Sequence, residues 1–294
     1  MIGKTTSSEI RYLRGHNGEE IHEDKDKERT FRENWKKNIS NIKQRKSTIC
    51  RKNDKTVTEF LDHRKHLLEP KQNTSFDHFS IETDFISLKE VQNVTKSFKQ
   101  RAPGEDTITK YHLQNLSKNM LKNFATMLNT SFAIGYYPKQ WKNSIMIFIT
   151  KPGKSPTENI NHRQISLINV PGKVFEKMIN NSLVHNLENH NLQNSRQHGC
   201  RKNRGTHTAI AILYEIIATA IANKNKVNIV LRDVGKEFDK VWHDGLRSKL
   251  IHSNIPQYLI RIISSYLKDR TASVKTGSFI QQKDESRSLL LLGK

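Results

Sequence analysis

An aspartate at the end of an apolar segment is the residue in this sequence best placed to do chemistry. Residues 227–231 are rich in branched side chains and predict a strand that leads to Asp233. A carboxylate at the end of a rigid strand is a hard oxygen ligand, which phosphoryl transfer by two divalent metal ions requires. A lone aspartate in this position more often caps the following helix. The residues of this segment alone leave both interpretations open.

The charge balance indicates a polyanionic partner. The 294 residues contain 50 Lys and Arg against 29 Asp and Glu, a net charge of +21. The excess is concentrated in residues 101–294, with 29 basic and 13 acidic side chains. Such a field attracts phosphate backbones, which makes nucleic acid the expected partner. A basic, solvated surface without a ligand is the alternative.

Hydropathy and cysteine content exclude several protein classes. The mean hydropathy is −0.73, and no run approaches the roughly 18 apolar residues of a membrane-spanning helix. The first residues have no hydrophobic stretch of the secretory type, so we expect a protein that stays inside the cell. Cys50 and Cys200 lie far apart, which argues against a disulfide framework or a zinc site.

Hydrophobic periodicity predicts a mixed arrangement of helices and strands. Residues 1–79 are polar and of mixed charge, and we expect them to be loosely ordered with some helix. Apolar residues at helical or strand spacing follow in the rest of the chain. Helices are predicted within 88–98, 113–132, 174–187, 206–222 and 256–267, and strands within 144–150, 227–231 and 272–280. The predicted fold class is α+β.

Several short motifs occur in one order along residues 84–280. They are A-P-G-E-D-T-I at 102–108, G-Y-Y-P-K-Q-W-K at 135–142, I-F-I-T-K-P-G-K at 147–154, H-R-Q-I-S-L-I at 162–168, G-K-V-F-E-K at 172–177, Q-H-G-C-R-K-N-R-G-T at 197–206 and D-V-G-K-E-F-D-K-V-W-H at 233–243. Together they resemble the reverse transcriptases of non-long-terminal-repeat (non-LTR) retrotransposons of the jockey type. The resemblance implies a right-hand polymerase fold with fingers and a partial palm.

The resemblance assigns roles to individual residues. It implies that Asp233 binds catalytic magnesium (Mg²⁺), with the backbone carbonyl of Val234 as a second ligand. Phe238 matches the aromatic residue that lies against the sugar of the incoming nucleotide. Lys151 and Arg163 match the residues that hold its triphosphate, for which a point charge and a forked guanidinium are suited.

Further positions match the template-binding block, and others depart from the family. The resemblance implies that Gln197, Gly199 and Arg201 lie along the template strand. Gln164 replaces a proline beside the fingers arginine, and Glu237 replaces a small residue whose amide faces the triphosphate. A carboxylate there should weaken nucleotide binding unless it turns away.

Two further aspartates of the family's active site, and the P-Q-G-S segment that precedes them, do not occur in this sequence. Asp284 and Glu285 are the adjacent carboxylates beyond the motif, and we expect them in a solvated tail. One aspartate cannot hold two metal ions, so the chain should be inactive in DNA synthesis by itself. A complementing polypeptide could supply the missing part, and a non-catalytic RNA- or DNA-binding module is the alternative.

The resemblance divides the chain into four segments. We expect a polar, partly helical extension at 1–83, a fingers-like region at 84–225, a partial palm at 226–280 and a divergent tail at 281–294. The implied partners are an RNA template, a DNA primer and deoxynucleoside triphosphates. No membrane partner is expected.

Overall fold

A computed structural model gives the fold of the chain. It describes residues 10, 12–15, 17–44, 48–71, 85–98, 102–234, 241–276, 279–280 and 284–285, with backbone alone at 38–44, 48–54, 279–280 and 284–285. The helices and strands, numbered in chain order, are β1 (Leu13–Arg14), β2 (Glu20–Ile21), α1 (Asp24–Gln44), α2 (Thr48–Asp62), α3 (Leu88–Ser97), α4 (Lys110–Gln114), α5 (Lys118–Ile134), β3 (Asn143–Thr150), β4 (His162–Ile168), α6 (Val170–Asn189), α7 (Thr206–Ala222), α8 (His243–His252), α9 (Gln257–Leu267), β5 (Thr271–Thr276), β6 (Phe279–Ile280) and β7 (Asp284–Glu285).

The α+β prediction is confirmed, as are most of the individual elements. The helix predicted within 113–132 is divided into α4 and α5, because the Ser117 side chain accepts a hydrogen bond from the Met120 amide and starts a new helix. Gly135 ends α5 in the left-handed conformation, at φ +72°. No helix in the described ranges has the length and apolar character needed to cross a bilayer.

The main sheet has the strand order β4-β3-β5-β6, and β7 also pairs with β5. β3 and β4 form an antiparallel hairpin, whereas β5 runs parallel to β3 on its other side. The expectation that Asp284 and Glu285 lie in a solvated tail is wrong for their backbone, which pairs with Ala272 and Thr271. Their polar character does not prevent pairing because the ladder uses backbone groups.

Helix α1 packs on one face of this sheet. Phe31 and Trp35 are 1% and 4% exposed and share a core with Met146 of β3 and Val274 of β5. The prediction of some helix in residues 1–79 is therefore confirmed by α1, whereas the expectation of loose order is wrong for this helix. Two large aromatic residues bury enough apolar surface to hold a helix whose other positions are almost all polar.

A second apolar core joins α5, α6 and α9. The rings of Phe132, Tyr137, Phe175 and Tyr266 lie within 5.1–5.6 Å of one another in successive edge-on or stacked pairs. Gly172 allows the close approach of α6, since a Cβ there would lie 3.1 Å from the Tyr137 hydroxyl oxygen. Tyr137 brings the segment that connects α5 to β3 into this core.

The chain divides into two compact units, residues 1–182 with 238–294 and residues 183–237. The first contains the sheet and both apolar cores. The second contains α7 and the segment that leads to Asp233. This geometric division does not test the four sequence-based segments, which remain predictions.

In the second unit, the helix prediction for α7 is confirmed, but the strand prediction for 227–231 is wrong. Val230 and Leu231 are 76% and 88% exposed, and the described residues form no ladder with them. Branched residues favour an extended strand only where a neighbouring strand and a packed face are available. The apolar residues of α7 are not buried either.

We expect Phe31→Ala to destabilise the first unit by roughly 3–5 kcal/mol, the usual cost of removing a buried aromatic ring. The ring stacks on Phe148 at 4.1 Å between centroids and contacts His162 edge-on. Tyr111→Ala is the control, because that side chain is half exposed on α4 and should change stability little. Urea unfolding followed by tryptophan fluorescence measures both. Equal, small effects would contradict the packing of α1 on the sheet.

Candidate functional site

The β3–β4 hairpin positions two of the residues singled out from the sequence. The antiparallel register places Arg163 opposite Ile149, so the two side chains share a face of the sheet. The Lys151 amide donates to the Asn161 carbonyl at 2.7 Å, which extends this ladder by one step. Lys151 and Arg163 therefore lie as diagonal neighbours on the same face.

The loop that follows β3 holds the Lys151 side chain. Its ammonium group donates to the Ile160 carbonyl at 2.8 Å, and the Asn161 side chain donates to the Ser155 carbonyl at 3.1 Å. Gly153 turns the chain at φ +71°, a conformation that glycine adopts without strain. An ammonium group has three N–H donors, and among the described residues Lys151 uses one of them, for the Ile160 carbonyl.

The face that carries Arg163 is basic at one end and apolar along its length. Arg163 is exposed, and Ile149 and Ile165 on the same face are each about two-fifths exposed. Gln164 points to the opposite face, since its partner in the register is Phe148, which stacks on Phe31. The exposed face can accept an anionic group at Arg163 next to an apolar surface.

The motif at 102–108 packs where β4 meets α6. A Cβ on Gly104 would lie 2.2 Å from the side-chain oxygen of Asn169 and 2.5 Å from the backbone nitrogen of Asn169, so only glycine fits there. The Lys173 ammonium group donates to the Ala102 carbonyl at 3.1 Å. Asp106 accepts a hydrogen bond from the Ile108 amide, which closes the turn. This motif is therefore held by α6.

Sequence reasoning missed a polar cluster between α6, α9 and the start of β5. The Tyr137 hydroxyl donates to the Glu176 carboxylate at 3.1 Å. Arg270 is 2% exposed, and its guanidinium lies 4.4 Å from the Tyr266 ring centroid. Burial raises the pKa of Glu176 to about 7, although the charge of Arg270 and the Tyr137 hydroxyl oppose the shift. The G-K-V-F-E-K motif contained Glu176, but nothing in its spacing indicated the tyrosine and arginine partners.

A buried lysine lies close to this cluster. Lys142 is 6% exposed, and burial lowers the pKa of its ammonium group to about 8. The carboxylate of Asp269 partly offsets this effect. Lys142 and Glu176 thus change charge in adjoining pH ranges.

Asp233 and Val234 belong to the second unit. Both are exposed, and neither follows a strand, so the rigid support expected for a metal ligand is not found. Phe238 and Glu237 lie outside the described residues. Within the described ranges, no three His, Cys, Asp or Glu side chains are grouped closely enough to hold a metal ion. The described residues therefore do not by themselves form a two-metal site.

The remaining predicted residues lie together in the second unit, in the loop between α6 and α7. The Gln197 side chain donates to the Gly199 carbonyl at 3.2 Å. Arg201 donates to both carboxylate oxygens of Glu188, at 2.9 and 2.6 Å. Among the described residues, the predicted site residues therefore lie in three places: Lys151 and Arg163 at the hairpin, Gln197, Gly199 and Arg201 in this loop, and Asp233 and Val234 in the segment after α7.

Comparison with known proteins gives a family and several relatives. Residues 149–288 match the family model described as reverse transcriptase (RNA-dependent DNA polymerase). The RNA-directed DNA polymerase from mobile element jockey of Drosophila melanogaster is 31% identical over 201 residues, which cover 68% of this chain and 22% of the relative. The probable RNA-directed DNA polymerases from transposons X-element and BS of the same species are 31% and 30% identical, over 67% and 65% of this chain and 22% and 21% of each relative. The chain spans about a fifth of the length of these relatives.

The polar cluster predicts how stability depends on pH. Folded Glu176 binds a proton between its ordinary pKa of 4.5 and about 7, where the unfolded chain has lost it. The free energy of unfolding should therefore fall as pH rises through this range. Lys142 acts in the opposite sense above about pH 8, because the unfolded lysine keeps its proton to 10.5.

Chemical denaturation at a series of pH values measures this dependence. Glu176→Gln should remove the decline below about pH 7, and Lys142→Met should remove the rise above about pH 8. Tyr137→Phe removes a hydrogen bond that favours the ionised carboxylate, so it should move the decline to higher pH. An unchanged profile in Glu176→Gln would contradict the assignment.

Proposed function

We propose that this chain, which carries a reverse transcriptase domain of the non-LTR retrotransposon type, supplies the nucleotide-binding and template-binding part of an RNA-directed DNA polymerase. Enzymes of this family use an RNA template, a primer and nucleotides, and they depend on divalent metal ions. Because the chain spans about a fifth of its relatives, the activity of the whole polymerase is a proposal for this chain.

The observation that carries the proposal is the register of the hairpin, which sets Arg163 opposite Ile149 and brings Lys151, two residues beyond Ile149, opposite Asn161. Lys151 and Arg163 both lie within the segment that matches the family model, 149–288. The guanidinium of Arg163 offers a planar fork of donors, which suits bidentate contact with a phosphate. Lys151 adds a point charge at the end of the same face. A deoxynucleoside triphosphate is the ligand whose charge and shape this arrangement favours.

The catalytic part of the proposal assigns fewer roles than the nucleotide-binding part. We assign Asp233 and the Val234 carbonyl as metal ligands and Phe238 as the sugar contact by resemblance alone. One carboxylate does not complete a two-metal site, and no polymerisation step is assigned to these residues. A complementing polypeptide that carries the paired aspartates would be needed for DNA synthesis.

Regions 84–225 and 226–280 are proposed to act as fingers and partial palm. Gln197, Gly199 and Arg201 then belong to the template side of the fingers. The segments 1–83 and 281–294 are proposed as flanking extensions. Helix α1 nevertheless shares a core with the sheet, so its removal should destabilise the fingers.

A second candidate function is a basic RNA- or DNA-binding module without catalysis. The net charge of +21 favours it, because phosphate contacts supply affinity without reading the bases. The two candidates differ in one respect. A module that only tracks nucleic-acid backbones has no need to bind a free deoxynucleoside triphosphate.

Arg163→Gln should weaken the binding of a fluorescent deoxynucleoside triphosphate roughly 10- to 100-fold, the range expected for the loss of hydrogen bonds from a charged group. Arg29→Gln on α1 is the matched control, because it removes the same charge from an exposed position elsewhere in the first unit. Fluorescence anisotropy measures both. Equal losses in the two variants would favour the binding module over the polymerase fragment.

The 294-residue chain should extend no primer on an RNA template with Mg²⁺ and deoxynucleotides, because it holds one of the required aspartates. Addition of a polypeptide that carries the paired aspartates should restore extension. Asp233→Asn should then abolish the restored activity. Gel-resolved primer extension provides the measurement, and products made by the chain alone would overturn the proposal of an incomplete site.

A further inference from the structure

All three guanidinium nitrogens of Arg201 donate hydrogen bonds to other groups of the protein. Its Nε and Nη2 donate to the two carboxylate oxygens of Glu188 at 2.9 and 2.6 Å, and its Nη1 donates to the Asn194 carbonyl at 3.0 Å. The side chain is 12% exposed. The pair also lowers the pKa of Glu188 through the hydrogen bonds from Arg201, so the carboxylate stays ionised at neutral pH.

A second arginine closes the same loop, residues 190–205. Arg204 donates from Nη1 to the Ser195 carbonyl. The Asn194 side chain accepts from the Arg196 amide at 2.9 Å, and its carbonyl accepts from the Gln197 amide at 3.0 Å. Side chains from the second half of the loop therefore hold the backbone of the first half in one conformation.

The loop backbone needs such support. Cys200 and Asn203 both have φ +58°, in the left-handed region. This conformation is uncommon for residues other than glycine and persists where surrounding contacts determine it. Cys200 is exposed, so burial does not fix its backbone. The adjacent constraint is the hydrogen-bonded pair of Glu188 and Arg201, called the clamp below.

Two cations of the loop remain available to a ligand. The side chains of Arg196 and Lys202 are exposed, and neither has a hydrogen-bond acceptor among the described residues. Arg196 follows the backbone positions that Arg201 and Arg204 hold, and Lys202 follows Arg201 in the sequence. A phosphate backbone that passes along this loop would meet these two side chains.

We infer that Arg201 is a positioning residue that, with Glu188, orders the loop so that Arg196 and Lys202 contact the phosphates of a single-stranded RNA. In this inference Arg196 and Lys202, rather than Arg201, make the template contact that the family resemblance assigns to Arg201. The nucleic-acid part of this inference rests on the proposed function. The ordering of the loop by the Glu188–Arg201 pair does not.

The variant Glu188→Gln distinguishes ordering of the loop from simple electrostatic attraction of RNA, because the two predict opposite changes in RNA affinity. It removes a negative charge near a polyanion, so electrostatics alone would strengthen RNA binding. If the Glu188–Arg201 pair orders the loop, the loop of the variant becomes ordered only when RNA binds. The free energy of that ordering then reduces RNA affinity roughly two- to tenfold. Tighter binding by Glu188→Gln would overturn the inference.

The double variant Glu188→Gln with Arg201→Gln keeps the net charge of the wild type. It should bind a single-stranded RNA oligonucleotide roughly two- to tenfold more weakly, with an unchanged dependence of affinity on salt. Lys202→Gln should reduce the slope of log affinity against log salt by about 0.7, the value for one phosphate contact on a single strand. A slope reduced by the same amount in the double variant would show that Arg201 itself contacts phosphate.

Hydrogen exchange without RNA gives a readout that does not depend on the proposed function. Amides of residues 191–204 should exchange faster in the double variant than in the wild type, whereas those of α5 should not change. Unchanged exchange in the double variant would refute the clamp, and a wild type that does not bind RNA would refute the proposed function and the RNA role of the loop together.

Discussion

The register between β3 and β4 fixes which side chains face α1 and which face away. Because successive residues of a strand alternate between its faces, a shift of one residue would exchange the two sets. Met146 and Phe148 pack against Phe31 in the observed register, and Arg163 then emerges on the opposite face. The packing of Phe31 on Met146 and Phe148 thus determines on which face of the sheet the proposed triphosphate contact lies.

Polar interactions within the first unit hold the surrounding motifs in place. Lys173 holds the turn at 102–108 against α6, and the close approach of Asn169 leaves no room for a side chain at Gly104. Glu176 accepts from Tyr137 a few residues further along the same helix. These contacts tie the motifs at 102–108 and 135–142 to the helix that carries the motif at 172–177. Stability and placement of the motifs therefore depend on the same residues.

The basic side chains discussed above fall into two groups. Arg270 and Arg201 donate to protein acceptors and stabilise local structure, whereas Arg163, Arg196 and Lys202 are exposed. Charge alone does not distinguish the two groups, because both attract a phosphate at long range. The hydrogen-bond partners of each side chain decide which arginines can contact a ligand.

The sequence by itself determined the family, the α+β class, the strand at 144–150 and most helices, because local periodicity and motif order depend only on neighbouring residues. Tertiary structure alone decided the burial of Phe31, the clamp on Arg201 and the absence of a ladder at 227–231 among the described residues. Each of these depends on a partner distant in sequence or outside the local pattern. A strand or an ion pair forms only when that partner is brought within reach, and spacing along the chain does not carry this information.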